Sequence, residues 1–246
     1  MPFDLTIVTV CRNAAGTIVE TLRSVAEQKT SDVEYLVIDG ASTDETISKV
    51  RSHQEIVDHF TSEPDRGLYH AMNKGAELAK GEYVCYLNAD DIYLPNAVNT
   101  VLSYIKKFPE VDMFYADWIG VQTGNVVRHR KAELSLGWRY KLCHQAIIVR
   151  RDILGKNPFN ERYKICADFD AIQEWICRGV ITKHIPNALV RFSEDGLSNR
   201  AVNRACQESI EIAIRRLGIF NSWRFCLSTV LHWAKMSLIN IFSINK

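Results

Sequence analysis

The 246-residue sequence lacks several features that mark common functional classes. Its seven cysteines form no C-x-x-C pair and no metal-ligand spacing, so we expect small buried hydrophobic side chains in a reducing compartment. Its 30 basic residues nearly balance 29 acidic ones, and the net charge of +1 argues against nucleic acid as a partner. The sequence also has no internal repeat and no low-complexity linker.

The N-terminal region has no basic segment followed by an apolar core of the signal-peptide type. It opens directly into the strand-like run Leu5–Val10, so we expect the protein to work in the cytoplasm. Hydrophobic residues at 47% and charged residues at 24% are typical of a globular protein with a sizeable core. This length predicts one domain, residues 1–218, with a short tail at 219–246.

Strand-like and helix-like patterns alternate in the first part of the sequence. The strand patterns lie at Leu5–Val10, Tyr35–Ile38, Ile56–Thr61 and Tyr83–Leu87. The helical patterns lie at Ala15–Gln28, from a Ser42–Glu45 capping box to about His53, and at Leu68–Lys80. This order predicts a right-handed, doubly wound α/β sheet with helices on both faces.

The pattern changes after Val111, where strand-like runs flank a turn at Gly124. The sheet is therefore expected to become mixed. Helical patterns at Ala167–Cys177 and Ala201–Leu217 enclose a further strand at Ile181–Phe192.

The cluster Asn88-Ala89-Asp90-Asp91 directly follows an apolar strand. Ligands of open α/β sheets bind beyond the carboxyl ends of the strands, and two adjacent carboxylates there repel unless something neutralises them. A divalent cation held by Asp90 and Asp91 and bridging pyrophosphate oxygens is one interpretation. The alternative is a helix N-cap, because Leu94-Pro95 begins another helical segment.

Polar residues also follow the first two strands. Asp39 closes the second strand and could accept a hydrogen bond from a base or ribose, or form an ordinary Asp-Gly turn. Arg12 and Asn13 follow the first strand and suit base or phosphate contacts, or else form a solvated loop.

The segment before the third helical pattern contains Asp65 and Arg66, at a helix N-terminus that suits phosphate or sugar hydroxyls. Asn73 and Lys74 lie further along the same helix. The alternative for all four is helix capping together with surface charge.

A group transfer also needs a general base for the acceptor hydroxyl, and Asp168 at a helix entrance is the better candidate. Asp170 points to another side of that helix, where it could cap or orient. His144 and Gln145 could contact pyrophosphate or acceptor, although a single histidine is more often structural.

In chain order, these segments resemble the family 2 glycosyltransferases, which have the GT-A fold, a Rossmann-like sheet. Thr6–Asn13 resembles the family's opening strand and nucleotide-binding loop, and Asp39–Asp44 resembles its D-G-S-T-D motif. Asp65–Gly75 followed by Ala79–Tyr83 is similar to its D-x-G-x-x-x-A-x-N-x-G and A-x-G-E-Y segment. The resemblance covers roughly residues 3 to 200. It is strongest to the branch that builds bacterial exopolysaccharide and O-antigen repeat units.

The resemblance implies a nucleotide-binding half, residues 1–110, and an acceptor-binding half, residues 111–218. It implies that Asp39 binds the nucleobase, that Asp90 binds the diphosphate and Mn²⁺ or Mg²⁺, and that Asp168 is the base. The remaining donor contacts that it implies are Thr9, Val10, Arg12, Asn13, Asp65, Arg66, Asn73, Lys74, Asn88 and Ala89. His144, Gln145 and Asp170 are expected on the acceptor or diphosphate side.

Two positions depart from the family pattern. Asn88 stands where many members carry the first Asp of a D-x-D motif, and Ala167 stands where a Glu often precedes the base. Asn88 can still offer its amide oxygen to ribose or metal, but metal affinity is expected to be lower.

The implied activity is inverting transfer of a sugar to an acceptor hydroxyl. The implied donor is a UDP-hexose or UDP-N-acetylhexosamine, and the implied acceptor is a lipid-linked glycan of a cell-surface polysaccharide. A sugar-1-phosphate nucleotidyltransferase is disfavoured, because Cys11–Gly16 lacks a glycine-rich loop. A catalytically inactive nucleotide-sugar-binding subunit is the other alternative, and Asn88 favours it.

The tail contains an apolar stripe at helical spacing, formed by Phe220, Trp223, Leu227, Val230, Leu231, Ala234, Leu238 and Ile241. It is flanked or interrupted by Arg215, Arg216, Arg224, Lys235 and Lys246. Because His232, Lys235 and Asn240 make insertion across a bilayer costly, we expect an in-plane helix at the inner face of the cell membrane. The alternatives are packing on the core and a homodimer contact.

Overall fold

The computed structural model describes residues 3–122, 126–134, 141–194, 196, 201–223 and 225–231. The strands are β1 (Leu5–Cys11), β2 (Val33–Asp39), β3 (His59–Ser62), β4 (Tyr83–Tyr86), β5 (Ile92–Tyr93), β6 (Met113–Gln122), β7 (Val126–Arg130), β8 (Ile147–Arg150) and β9 (Thr182–Ser193). The helices are α1 (Ile18–Ala26), α2 (Thr46–Arg51), α3 (Leu68–Leu78), α4 (Ala97–Lys107), α5 (Arg151–Leu154), α6 (Ala167–Cys177) and α7 (Val202–Leu217), with a 3₁₀ turn at His144–Ala146.

The strands of the described residues form one sheet in the order β3-β2-β1-β4-β8-β6-β9-β5, with β7 paired to β6. β3, β2, β1 and β4 run parallel to one another. β8 is antiparallel to both β4 and β6, so the sheet is mixed, as predicted. The carboxyl ends of the parallel strands meet at one edge of the sheet, which is where ligands bind in open α/β sheets.

Helices cover both faces of the sheet, as the alternating pattern predicts. Successive side chains of a strand point to opposite faces, so β1 serves two hydrophobic clusters. Leu5 and Ile7 pack with residues of α1 and α4, whereas Val8 and Val10 pack with residues of α3 and α6. All seven residues of β1 are buried, which explains why its sequence does not alternate between apolar and polar residues.

The predicted capping box at Ser42–Glu45 is wrong. α2 begins at Thr46, and the backbone N–H of Thr46 donates to Asp44 Oδ1 at 2.9 Å. The hydroxyl of Ser42 instead donates to Asp39, and Glu45 makes no side-chain cap. Ser42 serves the loops at the sheet edge rather than the helix, because its Oγ accepts from the N–H of Asn13 and donates to Asp39.

Residues 219–223 and 225–231 are helical. One side of this segment contacts α6, since Phe225 stacks on Phe169 with ring centroids 5.7 Å apart. The predicted apolar stripe faces solvent where it is described, and its most exposed member is Phe220, at 92%. Arg224, residues 232–246 and the predicted turn at Gly124 lie outside the described residues. No helix in the described part of the chain is long and apolar enough to cross a membrane.

Candidate active site

The loops that follow β1 and β2 are tied to each other at the carboxyl edge. The backbone N–H of Asn13 donates to Ser42 Oγ at 2.8 Å, and the N–H of Thr43 donates to Asn13 Oδ1 at 2.9 Å. Asn13 and Ala41 both adopt positive φ, at 51° and 56°. A left-handed conformation is costly for alanine, so these bonds hold a loop shape that the chain alone disfavours. Asn13 therefore shapes the predicted donor loop.

Asp39 lies at the end of β2 with its carboxylate already hydrogen-bonded. It accepts from the N–H of Ser42 at 2.9 Å and from Ser62 Oγ at 2.6 Å, and the hydroxyl of Ser42 also donates to it. Burial and the charge of Asp39 raise the pKa of the Cys11 thiol, which therefore stays protonated beside it. Asp39 is 1% exposed and these donors occupy both of its oxygens, so a nucleobase has to replace one of them to contact Asp39.

Arg12 and Asp65 converge on Gly40, the residue after Asp39. A Cβ at Gly40 would collide with the Asp65 carboxylate and would lie 3.4 Å from Arg12 Cδ. Asp65 Oδ1 also accepts from the N–H of Gly67 at 2.9 Å, directly before α3. Arg12 is exposed and makes no ion pair within the described ranges. The absence of a side chain at Gly40 thus leaves room for the Asp65 carboxylate and the Arg12 side chain next to this residue.

Two predicted donor residues on the β3–α3 segment pair with neighbouring acids. Arg66 forms a two-pronged contact with Glu161, with both N···O distances at 2.9 Å. Lys74 lies 2.8 Å from Glu63. Both pairs have an exposed member, so such contacts are worth about 0–1 kcal/mol and a phosphate can replace them.

Asn73 is corrected from a donor contact to a structural residue. Its amide Nδ2 donates to the carbonyl of Phe159 at 2.8 Å, and its Oδ1 accepts from the N–H of Phe159 at 3.0 Å. Asn73 is buried, so both ends of its amide are used internally. It fixes the segment around Phe159 against α3 and does not face a donor.

Thr9, Val10 and Ala89 are also corrected, because their side chains are buried. The hydroxyl of Thr9 lies 3.0 Å from that of Tyr35. Val10 packs in the cluster that includes α3. Any contact of these three with a donor has to come from backbone atoms.

The Asn88–Asp91 segment follows β4 at the same edge. Asp90 is exposed, and Asn88 Oδ1 is a buried atom without a hydrogen-bond partner in the described structure. An amide oxygen and a carboxylate are ligands that Mg²⁺ and Mn²⁺ accept. No group of three or more His, Cys, Asp or Glu residues in the described ranges could hold a metal ion. The two residues thus fit a cation whose other ligands come from a bound diphosphate and water.

Asp91 is corrected from a metal ligand to a structural residue. It is 1% exposed, and its Oδ1 accepts from the N–H of Ser193 at 2.8 Å. Burial, followed by the charge of Asp90, raises its pKa well above the ordinary value. Asp91 anchors the end of β9, which leaves Asp90 as the exposed carboxylate of the cluster.

The 3₁₀ turn places His144 against the end of β4. The imidazole stacks on Tyr86, the last residue of β4, with ring centroids 5.4 Å apart. Burial lowers its pKa, although the charge of Asp168 opposes this shift, so His144 is neutral at pH 7. Gln145 is buried and accepts from the Cys143 thiol at 3.2 Å, so its side chain faces inward.

Asp168 lies in the first turn of α6 and is half-buried. Its Oδ1 accepts from the hydroxyl of Tyr69 at 2.9 Å. Because Tyr69 lies in the first turn of α3, which follows β3, this bond ties Asp168 to the carboxyl edge. The charge of Asp168 also acts on His144, so these two side chains lie near each other.

Asp170 is corrected from an acceptor or diphosphate contact to a structural residue. Its carboxylate is buried and accepts from Arg215 Nη2 at 2.5 Å and Arg216 Nε at 2.8 Å. Both arginines belong to the last turn of α7. The two guanidiniums pair with the Asp170 carboxylate and so hold α7 against α6.

Comparison with known proteins identifies the family. The sequence profile described as Glycosyl transferase family 2 matches residues 6–164. A PGL/p-HBAD biosynthesis glycosyltransferase of Mycobacterium tuberculosis is 30% identical over 234 residues, which cover 91% of this chain and 88% of the relative. The chain belongs to glycosyl transferase family 2.

Other similar proteins bear on the fold of this family 2 glycosyltransferase. An amylovoran biosynthesis glycosyltransferase, AmsB of Erwinia amylovora, is 26% identical over 186 residues, 68% of this chain and 62% of the relative. S. aureus TarS 1-349 has a TM-score of 0.68 at 18% identity, covering 86% of this chain but only 65% of that one. Mannosyltransferase PcManGT from Pyrobaculum calidifontis has a TM-score of 0.66 at 17% identity, covering 98% and 79%. The predicted GT-A fold is confirmed.

Two residues of this glycosyltransferase's site were missed by reasoning from sequence. Tyr69 lies within the segment that resembles the family motif but received no role, because a tyrosine on a helix is most often a core residue. Glu208, on α7, accepts from three successive backbone N–H groups just before α6. No local pattern indicates Glu208, because its partners lie more than 40 residues away.

Proposed function

We propose that this family 2 glycosyltransferase transfers a sugar from a nucleoside diphosphate sugar to an acceptor hydroxyl by a single inverting displacement. One observation carries the proposal. Asp168, hydrogen-bonded to Tyr69, lies at the same sheet edge as Asp39 and Asp90. The edge therefore combines a carboxylate for proton removal with polar groups suited to a nucleotide and a diphosphate.

Asp39 accepts a hydrogen bond from the base of the bound donor, and the exposed guanidinium of Arg12 faces the phosphates. Asp90 and the amide oxygen of Asn88 hold Mn²⁺ or Mg²⁺. When bound, the cation stabilises the negative charge that develops on the departing diphosphate. Arg66, just before α3, and Lys74, within α3, add positive charge.

Asp168 accepts the proton of the acceptor hydroxyl as the acceptor oxygen forms its bond to the anomeric carbon. The bond between that carbon and the diphosphate oxygen breaks, and the nucleoside diphosphate leaves with the electron pair. Attack from the opposite face inverts the configuration, so an α-linked donor sugar becomes a β-linked product. His144, which is neutral, donates or accepts a single hydrogen bond beside the base.

The donor proposed is a UDP-hexose or UDP-N-acetylhexosamine. In support, structures similar to this chain were determined for TarS with UDP-GlcNAc, although PcManGT was determined with GDP-Man and Mn²⁺. The acceptor proposed is a lipid-linked glycan of a cell-surface polysaccharide or lipopolysaccharide. In support of a biosynthetic role, two relatives are named for PGL/p-HBAD biosynthesis and for amylovoran biosynthesis.

The tail brings the enzyme to the inner face of the cell membrane. Phe220, Trp223 and Leu231 are more than half exposed. Residues 219–246 contain Arg224, Lys235 and Lys246 but no aspartate or glutamate. Aromatic and basic residues without acids suit an anionic lipid surface, whereas a homodimer through this face would bring two positive segments together.

A second candidate is a catalytically inactive subunit that binds nucleotide sugars. It is favoured by one observation, the amide at Asn88 in place of a carboxylate, which leaves Asp90 as the exposed acid of the cluster. The two functions differ in turnover: an enzyme releases nucleoside diphosphate from its donor, whereas the inactive subunit binds the donor intact.

The test is thermal unfolding with a panel of UDP- and GDP-sugars, with and without Mn²⁺, followed by assay of nucleoside diphosphate release. A ligand that binds only the folded state raises the unfolding midpoint. At 100 times its Kd, it adds about 2.7 kcal/mol to the free energy of unfolding. A Mn²⁺-dependent shift together with release supports the transferase. A shift without release supports the inactive subunit, and no shift with any donor contradicts both.

A further inference from the structure

The hydroxyl of Tyr69 has two acceptors for its single hydrogen. Its oxygen lies 2.6 Å from the backbone carbonyl of Ile165 and 2.9 Å from Asp168 Oδ1. Burial, followed by the charge of Asp168, raises the pKa of Tyr69 well above the ordinary value, so the phenol keeps its proton. Tyr69 is 5% exposed and its ring packs 5.8 Å from that of Phe159, so the hydroxyl cannot swing away.

This geometry gives the Tyr69 hydrogen an acceptor in both protonation states of Asp168. While Asp168 is ionised, the hydrogen of Tyr69 can be donated to Oδ1. Once the second oxygen of Asp168 carries the acceptor proton, Oδ1 is a neutral carbonyl oxygen, and the Tyr69 hydrogen can turn to the carbonyl of Ile165. The single hydrogen can therefore move between two acceptors as the charge on Asp168 changes.

We propose that Tyr69 is a positioning residue that orients Asp168, leaving its second oxygen to receive the acceptor proton. The inference rests on the proposed function, because it takes Asp168 as the base. Tyr69 itself does not touch substrate in this account.

The carbonyl that shares the Tyr69 hydroxyl is itself held from the other side. The Ile165–Cys166 peptide accepts from Tyr69 through its C=O, and its N–H donates to Glu208 Oε2 at 3.0 Å. Glu208 also accepts from the N–H groups of Lys164 and Ile165, both at 2.9 Å. One peptide unit is therefore fixed between α3 and α7, one residue before the helix that carries Asp168.

Glu208 is well suited to this support because its own geometry is fixed. It is 7% exposed and also accepts from Arg204 Nε at 2.8 Å. Hydrogen bonds to a charged acceptor are stronger than those between neutral groups. Glu208 thus acts on Asp168 indirectly, through the peptide whose carbonyl accepts a hydrogen bond from Tyr69.

The test is a double-mutant cycle of Tyr69→Phe and Asp168→Asn, with Tyr83→Phe as the matched control. Tyr83 is also buried and donates its hydroxyl to a backbone carbonyl, that of Val111, at 2.6 Å. The readouts are nucleoside diphosphate release and donor affinity, with the panel donor that the wild type turns over fastest.

Tyr69→Phe is expected to lower kcat about 10- to 100-fold with an unchanged donor Kd, since it removes one hydrogen bond to a charged group. In the Asp168→Asn background the same change should alter the rate less than about twofold. Tyr83→Phe should leave kcat unchanged. Equal effects of Tyr69→Phe in both backgrounds, or none in the wild type, would overturn the inference.

Should Tyr69→Phe fail to fold, Glu208→Gln with Glu211→Gln as its control gives the same comparison. Glu211 lies one turn further along α7 and forms a partly exposed pair with Arg162. Glu208→Gln should lower kcat only when Asp168 is present, and an equal loss in both backgrounds would overturn the inference. The proposed function fails separately, either if the wild type turns over no donor or if Asp168→Asn keeps full activity.

Discussion

Asp170 and Arg216 form a partly buried ion pair, with Arg216 Nε 2.8 Å from Asp170 Oδ1. Arg215 donates to both oxygens of the same carboxylate. These contacts join the first turn of α6 to the last turn of α7. They separate the roles of two carboxylates that lie only two residues apart, since Asp168 faces Tyr69 and Asp170 faces α7.

Asp170→Asn should therefore reduce stability rather than chemistry. Removing one partner of a buried ion pair leaves the other charge uncompensated, which costs about 3–5 kcal/mol, and less here because Arg215 is partly exposed. The measurement is denaturant unfolding beside kcat at a temperature where the variant is folded. A fully stable variant whose rate falls more than 100-fold would make Asp170 the base instead.

Removal of the metal should abolish transfer. Because Asp90 is the exposed carboxylate and Asn88 contributes only a neutral amide, we expect activity to vanish in EDTA and to return with Mn²⁺ or Mg²⁺. Asn88→Asp should lower the cation concentration required for half-maximal rate, since it adds a charged ligand. Asp90→Ala should lose metal-dependent donor binding. Full activity in EDTA would contradict the metal assignment but not the fold.

The contribution of Glu208 to stability should depend on pH. Burial raises its pKa, but hydrogen bonds from the backbone at residues 164–166 and from Arg204 outweigh burial, so the net pKa lies below the ordinary value of 4.5. A lowered folded-state pKa stabilises the fold above the unfolded value, and this stabilisation disappears as the pH falls through the folded value.

The difference in free energy of unfolding between wild type and Glu208→Gln should accordingly be largest at pH 6–7. It should shrink below about pH 4.5. Urea unfolding at several pH values measures it, with Glu211→Gln as the control. A difference that stays constant down to pH 3 would show that the Glu208 charge is not what holds residues 164–166.

The exposed stripe of the tail should govern membrane binding. Phe220→Gln with Trp223→Gln should weaken binding to vesicles that contain anionic lipid, and the binding of the wild type should weaken as salt rises. Ile181→Gln is the matched control, because Ile181 is 51% exposed but lies outside the tail. Unchanged vesicle binding in the double variant, or loss of donor binding, would contradict the membrane assignment.

Phe225→Ala separates packing from membrane contact within the same segment. Its ring stacks on Phe169 of α6, so this change should lower the unfolding midpoint while largely preserving vesicle binding. If Phe225→Ala instead abolished vesicle binding in the folded protein, the stacked face and not the exposed stripe would carry the contact.

The fold was largely predictable because its signals are local. The run Leu5–Val10 is buried on both faces in the structure, as a continuous apolar strand requires, and the acids that end β2 and follow β4 lie at one edge because parallel strands end together. The positions of Asp39, Asp90 and Asp168, after strands or at a helix entrance, could be predicted for the same reason, whereas their roles stay predictions.

The partners of the site residues were not predictable, since each depends on a distant element. Asn73 is polar and lies near the donor segment, yet its amide pairs with Phe159, 86 residues away. Asp170 is the same residue type as Asp168 and lies two residues further along, and only the docking of α7 brings Arg215 to it. The position of a residue in the sequence indicates the strand end or helix on which it lies. It does not indicate which of its side-chain atoms are already hydrogen-bonded within the protein.

The most direct test of the account is Asp168→Asn, assayed for both donor binding and nucleoside diphosphate release. The amide is nearly isosteric with the carboxylate but cannot take the acceptor proton. Donor affinity should stay within about twofold of wild type, whereas the rate should fall about 10²- to 10⁴-fold. Wild-type turnover by Asp168→Asn with intact donor binding would contradict the assignment of Asp168 as the base.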